Sequence, residues 1–254
     1  MALRWFERLK QRARLAHWRA VAARSPDMGL AEVRQLRADA RAVRRAVDQV
    51  LELADSRLAL PLMGSQAMHR PPMTDWSWRP HLWRLPLSPP GHAPAPARTA
   101  LDGEAAVFHD CHDSEIIVRQ LRNRQESDLA AFGLMIEALG FDGGFLSLSV
   151  RLPAEAVAGL GHRHLIRVDL NADCERPQKA LVWLNIEHGP NTDRAAFELR
   201  LDSGERMAEF DLAHVAFDER RVGKMWVDVF FDDPRMNRVV LRDLTFSRRP
   251  RAEL

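Results

Sequence analysis

The sequence predicts a mainly β protein, an antiparallel β-sandwich of jelly-roll-like form preceded by an N-terminal α-helical, coiled-coil arm. Three observations carry this. From about residue 105 onward, apolar and polar residues alternate in seven or more short runs separated by turn residues. Before residue 59 the apolar spacing is three and four residues, the helical period. Between these regions lies a proline-dense stretch with no period. The chain therefore divides into three parts. Residues 1–59 form a basic amphipathic helix plus a heptad-patterned helix, 60–104 a Pro/Trp-rich linker or packing arm, and 105–254 the sandwich domain.

In the first part, Trp5, Leu9, Ala13, Ala16 and Ala20 fall on one helical face, widened by Phe6, Trp18 and Val21. Ser25-Pro26-Asp27 interrupts, with Ser25 suited to an N-cap and Pro26 to a first helical turn. Val33, Leu36, Ala40, Val43, Val47, Val50 and Ala54 then recur at alternating spacings of three and four, an a/d seam of about three heptads. Such a seam pairs either with the first helix as an antiparallel hairpin or with another copy, so residues 33–54 are a candidate homo-oligomer contact. Residues 1–24 hold seven Lys/Arg against Glu7 alone, net +6 within a chain of net +2. That charge beside Trp5, Phe6, Leu9 and Trp18 makes a candidate contact with an anionic membrane surface or a partner. Nucleic acid is the weaker reading of this arm. Arginine is abundant throughout, lysine occurs only at 10, 179 and 224, and tyrosine is absent, a bias of genome-wide composition rather than of site.

The middle part contains "RPPMTDWSWRPHLWRLPLSPPGHAPAPART". Its prolines favour extended backbone. Trp76, Trp78 and Trp83 would forgo a large burial energy in water, so the segment is expected to pack on the following domain, with residues 86–99 left mobile.

The third part supplies the strands. "FLSLSVRLP" sets Leu146, Leu148, Val150 and Leu152 against Ser147, Ser149 and Arg151, and "HLIRVDLN" aligns Ile166, Val168 and Leu170. "KALVWLNIEH" turns Val182, Leu184 and Ile186 inward and Trp183, Asn185 and Glu187 outward. "RAAFELRL", "MAEFDL", "KMWVDVFFDD" and "RVVLRDLTFSR" follow, divided by turns such as "HGPN" and "DDP". "SDLAAFGLMIEAL" fits either a short helix or a strand.

Chemistry is sparse. "FHDCHDSE", Phe108 to Glu115, crowds two histidines, a cysteine and three carboxylates together. On a strand His109 and Cys111 point one way, the only pair there with zinc-ligand character, and His162, His164, Cys174 or His188 would have to complete the site at no recognised spacing. The expected metal is none, the expected catalytic residues none, and the expected cofactor none; a metal- or Cys/His-dependent enzyme built on 108–115 is the rival reading. No P-loop, dinucleotide-binding glycine motif or nucleophile elbow is present. Ligand candidates lie instead on the strands: Trp183, Asn185, Glu187, His188 and Asn191 around "NIEHGPN", with Trp226 and Phe230 flanking Asp228. Flat aromatics among amides and carboxylates suit a glycan, or a protein ligand. Alternatively the Trp-rich arm or helices cover this outer face, and that is the expectation.

Two cysteines and no signal peptide point to a cytoplasmic protein, peripheral at the inner membrane if the basic arm meets lipid. "TDWSWRP", "FHDC", "VRQLRN", "FLSLSVRLP", "NIEHGPN", "EFDL" and "MNRVVLRDLTFSRRPRAEL" resemble an alphaproteobacterial protein family of unknown function over roughly residues 74–254. The architecture is also similar to carbohydrate-binding sandwich modules. The resemblance implies grouping and fold, and no activity.

Overall fold

The computed structural model describes residues 2–59, 68–202 and 204–251. They fall into two compact units, 1–53 and 54–254. Two long helices make up the first unit, α1 (Ala2–Arg24) and α2 (Leu30–Ala59), the latter running on past residue 53. Ser25 does not cap α2. It sits in a short 3-10 turn with Pro26, and its hydroxyl donates to the Ala22 carbonyl at 2.9 Å. The side chains of Trp5, Phe6 and Leu9 lie outside the described residues. Trp18 is half-buried and meets the His17 ring edge-on, while Val21 is buried. Along α2 the seam is half-buried at Val33, Leu36 and Ala40 and open to water at Val43, Val47 and Val50.

The second unit is a mainly β, jelly-roll-like sandwich. In chain order its elements are β1 (Trp76–Trp78), α3 (His81–Arg84), β2 (Gly91–His92), β3 (Arg98–Ala100), β4 (Ala105–His109), β5 (Ile116–Arg122) and β6 (Phe132–Ala138). Then come β7 (Leu146–Arg151), α4 (Ala154–Val157), β8 (His164–Cys174), β9 (Gln178–His188), β10 (Asn191–Leu201), β11 (Gly204–Asp211), β12 (Val222–Phe231) and β13 (Asn237–Pro250). One sheet has the order β11-β8-β13-β6-β5-β2, with β1 added to β13; the other runs β10-β9-β12-β7-β4-β3. All pairings are antiparallel. "GLMIEA" resolves as strand β6, its Leu134 and Ile136 opposite Gln120 and Val118.

The alternation read from sequence sets the core. Val182, Leu184 and Ile186 of β9, Leu148 and Val150 of β7, and Ile166 and Val168 of β8 are wholly buried between the sheets. Burying a side chain of this size contributes about 1.5–3 kcal/mol.

The Trp-rich segment packs on the seven-stranded sheet. Trp83 is fully buried and its indole N–H donates to the Leu241 carbonyl at 2.9 Å, so the one polar atom of the ring is satisfied. Trp78 lies 5.6 Å from the Phe246 ring. Arg79 grips Asp243 through two hydrogen bonds of 2.8 and 2.7 Å, and Asp75 pairs with Arg248 at 3.0 Å. Residues 86–99, expected to be mobile, instead carry β2 and the start of β3, the edge strands of the two sheets. An edge strand bonds on one side only, so a proline-rich segment can serve there. The approach is close: a Cβ on Gly91 would stand 2.4 Å from the Val118 carbonyl oxygen, which only glycine avoids.

Candidate ligand-binding face

Phe108–Glu115 spans the end of β4 and the turn that leads to β5. The His109 Nδ1 accepts the Cys111 amide at 3.2 Å, which places the ring proton on Nε2, 3.0 Å from the Ala95 carbonyl. Neither nitrogen is left for a metal. Asp110 Oδ1 accepts the amides of Gly144 and Phe145, and Asp142 accepts those of His112 and Asp113, so this turn is tied to residues 141–145. Burial pushes the Cys111 thiol up, away from nucleophile chemistry. The other candidates are engaged elsewhere. His162 stacks on Phe217 at 4.4 Å and bonds Glu219, His164 is buried with Nδ1 against Gly161, and burial pushes Cys174 up to about 11. Among the described residues, no group of three or more His, Cys, Asp or Glu is placed to hold a metal.

The six-stranded sheet offers a different site. Because partners opposite one another share a face, its outer surface can be read in rows. One row is Arg194, Asn185, Trp226 and Arg151; the next is Ala196, Trp183, Asp228 and Ser149. A third is Glu198, Leu181, Phe230 and Ser147, continued by Phe108 of β4. Strands with apolar residues at every second position must present the intervening residues here, and in β9 and β12 those are, apart from Leu181, aromatic and polar.

Hydrogen bonds fix the geometry. One oxygen of Asp228 accepts from the Trp226 indole at 3.1 Å and from the Asn185 amide at 2.9 Å. Trp183 packs 4.5 Å from Phe230 with the rings tilted by 55°, and the Arg194 guanidinium lies 4.4 Å from the Trp183 ring centre. Phe145, at 6.5 Å from Phe230, extends the aromatic strip. Glu187 pairs with Lys224 at 3.1 Å. A groove of about 620 Å³ lies beside the strip, lined by Phe141, Phe145, Trp183, Phe230, Lys179 and Arg200 among others. A second depression of about 360 Å³ lies by Trp226, Phe108, Arg98 and Arg151.

Of the residues singled out from sequence, Trp183, Asn185, Glu187, Trp226 and Phe230 come together on this face. His188 does not join them. It has the opposite parity, is buried, and sits 2.6 Å from Asp193 while accepting the Asp218 amide. Asn191 is exposed at the hairpin end opposite His188. Of the expected cover, the part given to the Trp-rich arm is corrected: Trp76, Trp78 and Trp83 serve the seven-stranded sheet. Arg194, Phe145 and Phe108 were missed. The parity of "NTDRAAFELR" and "AAVFH" relative to their neighbours would have found the first and last, once the pairing was known.

The chain matches, over residues 1–254, a family described as a family of unknown function (DUF6478). No curated protein matches. Among solved structures, the family 11 carbohydrate-binding module from Clostridium thermocellum, in complex with a β-1,3-1,4-mixed-linked tetrasaccharide, aligns with a TM-score of 0.40 at 10% identity. It covers 60% of this chain and 92% of the module. The CBM22-2 xylan-binding domain of Paenibacillus barcinonensis Xyn10C gives 0.36 at 10% identity, over 57% and 91%. Tailspike protein 4 of bacteriophage CBA120, in its enzymatically active domain, gives 0.41 at 5% identity, over 56% of this chain and 19% of its own. These are loose likenesses, and a function has to come from the residues of the face itself.

Proposed function

We propose, for a chain that belongs to the family of unknown function DUF6478, that it is a non-enzymatic module whose sandwich binds a glycan on the outer face of the six-stranded sheet. One observation carries this reading: the half-exposed strip Trp226, Asp228, Trp183 and Phe230, in which flat rings alternate with hydrogen-bonded polar groups. A sugar ring presents apolar C–H faces edged by hydroxyls, and such a strip answers both at once. A protein partner of ordinary affinity would favour a broader apolar centre than one divided by Asp228, Asn185 and Arg194. The N-terminal helices serve attachment, through a basic amphipathic α1 at an anionic membrane surface or through α2. Both cysteines are free thiols, which fits a cytoplasmic setting, peripheral at the inner membrane. Among the described residues no helix is long and apolar enough to cross a membrane.

Affinity electrophoresis and calorimetry against a panel of soluble neutral and acidic polysaccharides test the reading. Wild-type protein should bind at least one of them. Trp183→Ala and Trp226→Ala should each weaken that binding about tenfold or more, equivalent to ~1.4 kcal/mol, with melting temperature little changed. A wild-type protein inert to the whole panel, or variants that bind as well as wild type, would sink it.

A further inference from the structure

We infer that α2 pairs with the α2 of a second copy of this chain, parallel and in register, as a two-stranded coiled coil. The C-terminal half of its seam is open within the chain's own fold: Val43, Val47 and Val50 are 42%, 50% and 67% exposed, although they continue the heptad that begins at the half-buried Val33, Leu36 and Ala40. Water on three consecutive core positions of one helix is unfavourable, and a second copy of the same stripe removes it.

The flanking charges choose the partner and the orientation. With Val33, Ala40 and Val47 at a, and Leu36, Val43 and Val50 at d, the g positions are Glu32, Asp39 and Ala46 and the e positions Arg37, Arg44 and Leu51. In a parallel pair each g residue meets the e residue five places later on the other helix. Glu32 then faces Arg37 of the second copy, Asp39 faces Arg44, and Ala46 faces the 50%-exposed Leu51. Every pair is complementary, and the apolar one continues the open patch. Antiparallel pairing sets e against e and g against g, which places arginine on arginine and acid on acid. Within one helix Arg44 pairs with Asp48 at 3.4 Å and Asp39 accepts from Gln35 at 3.2 Å, exposed contacts that pairing between helices exchanges for Asp39 on Arg44. Small Ala40 at a core position lets two backbones approach closely. Pairing would hold two sandwich faces on one particle and raise apparent affinity for a repeating ligand, yet it stands whether or not that ligand is a glycan.

Sedimentation equilibrium on the full chain tests it over a micromolar concentration series. The expected mass is twice the 28.9 kDa chain. Arg37→Glu with Arg44→Glu makes all four flanking positions acidic, and Glu32→Arg with Asp39→Arg makes them basic. Each double variant alone should dissociate at least tenfold more readily, and an equimolar mixture should restore the dimer. Val33→Cys should form a disulfide-linked dimer under mild oxidation only if the two N-terminal ends lie side by side. A wild-type chain monomeric throughout, or a dimer indifferent to the charge reversals, overturns the pairing. A charge-sensitive dimer that never cross-links through residue 33 overturns the parallel register.

Discussion

Replacing Arg79 by alanine should unfold the attachment of the Trp-rich segment and lower the stability of the sandwich by about 3–5 kcal/mol, because the buried Asp243 carboxylate loses its bidentate arginine partner. The side chains of Arg79 and Asp243 are 3% and 14% exposed, and two hydrogen bonds of 2.8 and 2.7 Å join them. At ~4 kcal/mol and an m value of about 3 kcal/mol/M, the urea midpoint falls by roughly 1.3 M. Trp76, Trp78 and Trp83 report the transition by fluorescence. The pH dependence has a definite sign. Burial pushes the Asp243 carboxyl above its ordinary value, against the pull of Arg79, and removing Arg79 pushes it further. A carboxyl raised in the folded state contributes stability below its unfolded value and loses it as pH rises through the folded value. The damage from Arg79→Ala is therefore greater at neutral than at acid pH, because protonation of Asp243 in the folded variant removes the unpaired charge. A midpoint shift below ~0.3 M at pH 7 would show that the ion pair does not hold the segment. Equal losses at both pH values would refute the buried-carboxylate account.

Other expectations concern the thiols and the basic helix. Cys174, pushed up to about 11 from 9.0, should react with iodoacetamide at pH 8 about 100-fold more slowly in the folded protein than in urea, since the thiolate is the nucleophile. Comparable rates in the two states would mean that burial does not govern it. Residues 2–24 should bring the full chain down with anionic but not neutral liposomes, less so in high salt and after Trp5→Glu. Indifference of the chain to anionic vesicles removes the membrane from the proposed attachment.

What was legible in the sequence depended on range. Inward Val182, Leu184 and Ile186 and outward Trp183, Asn185 and Glu187 follow from a two-residue period that any strand must obey. That Trp83 would be buried followed from its size alone. Which sheet it would cover did not, because alternation sorts faces without saying which strands pair. The Arg79–Asp243 bond spans 164 positions and leaves no local trace in either segment. β2 and β3, of two and three residues, are too short to show alternation, and their prolines argued for a mobile tail. His188 was assigned by proximity to "NIEHGPN", although its parity already placed it on the inner side with Ile186.

The position of β13 has a consequence for biosynthesis. Among the described strands of its sheet it is the last in chain order, yet it lies in the middle, bonded to β8 on one flank and to β6 and β1 on the other. At translation speeds of about 5–20 residues per second, its 14 residues take roughly one to three seconds to add, and until then the nascent sheet has a slot where its centre belongs. The facing edges of β8 and β6 are meanwhile unpaired, and each is a template for another chain. A message truncated before residue 237 thus yields a sticky fragment rather than a shorter binder. The interval before β13 is made is when a nascent chain of this protein has most need of a chaperone.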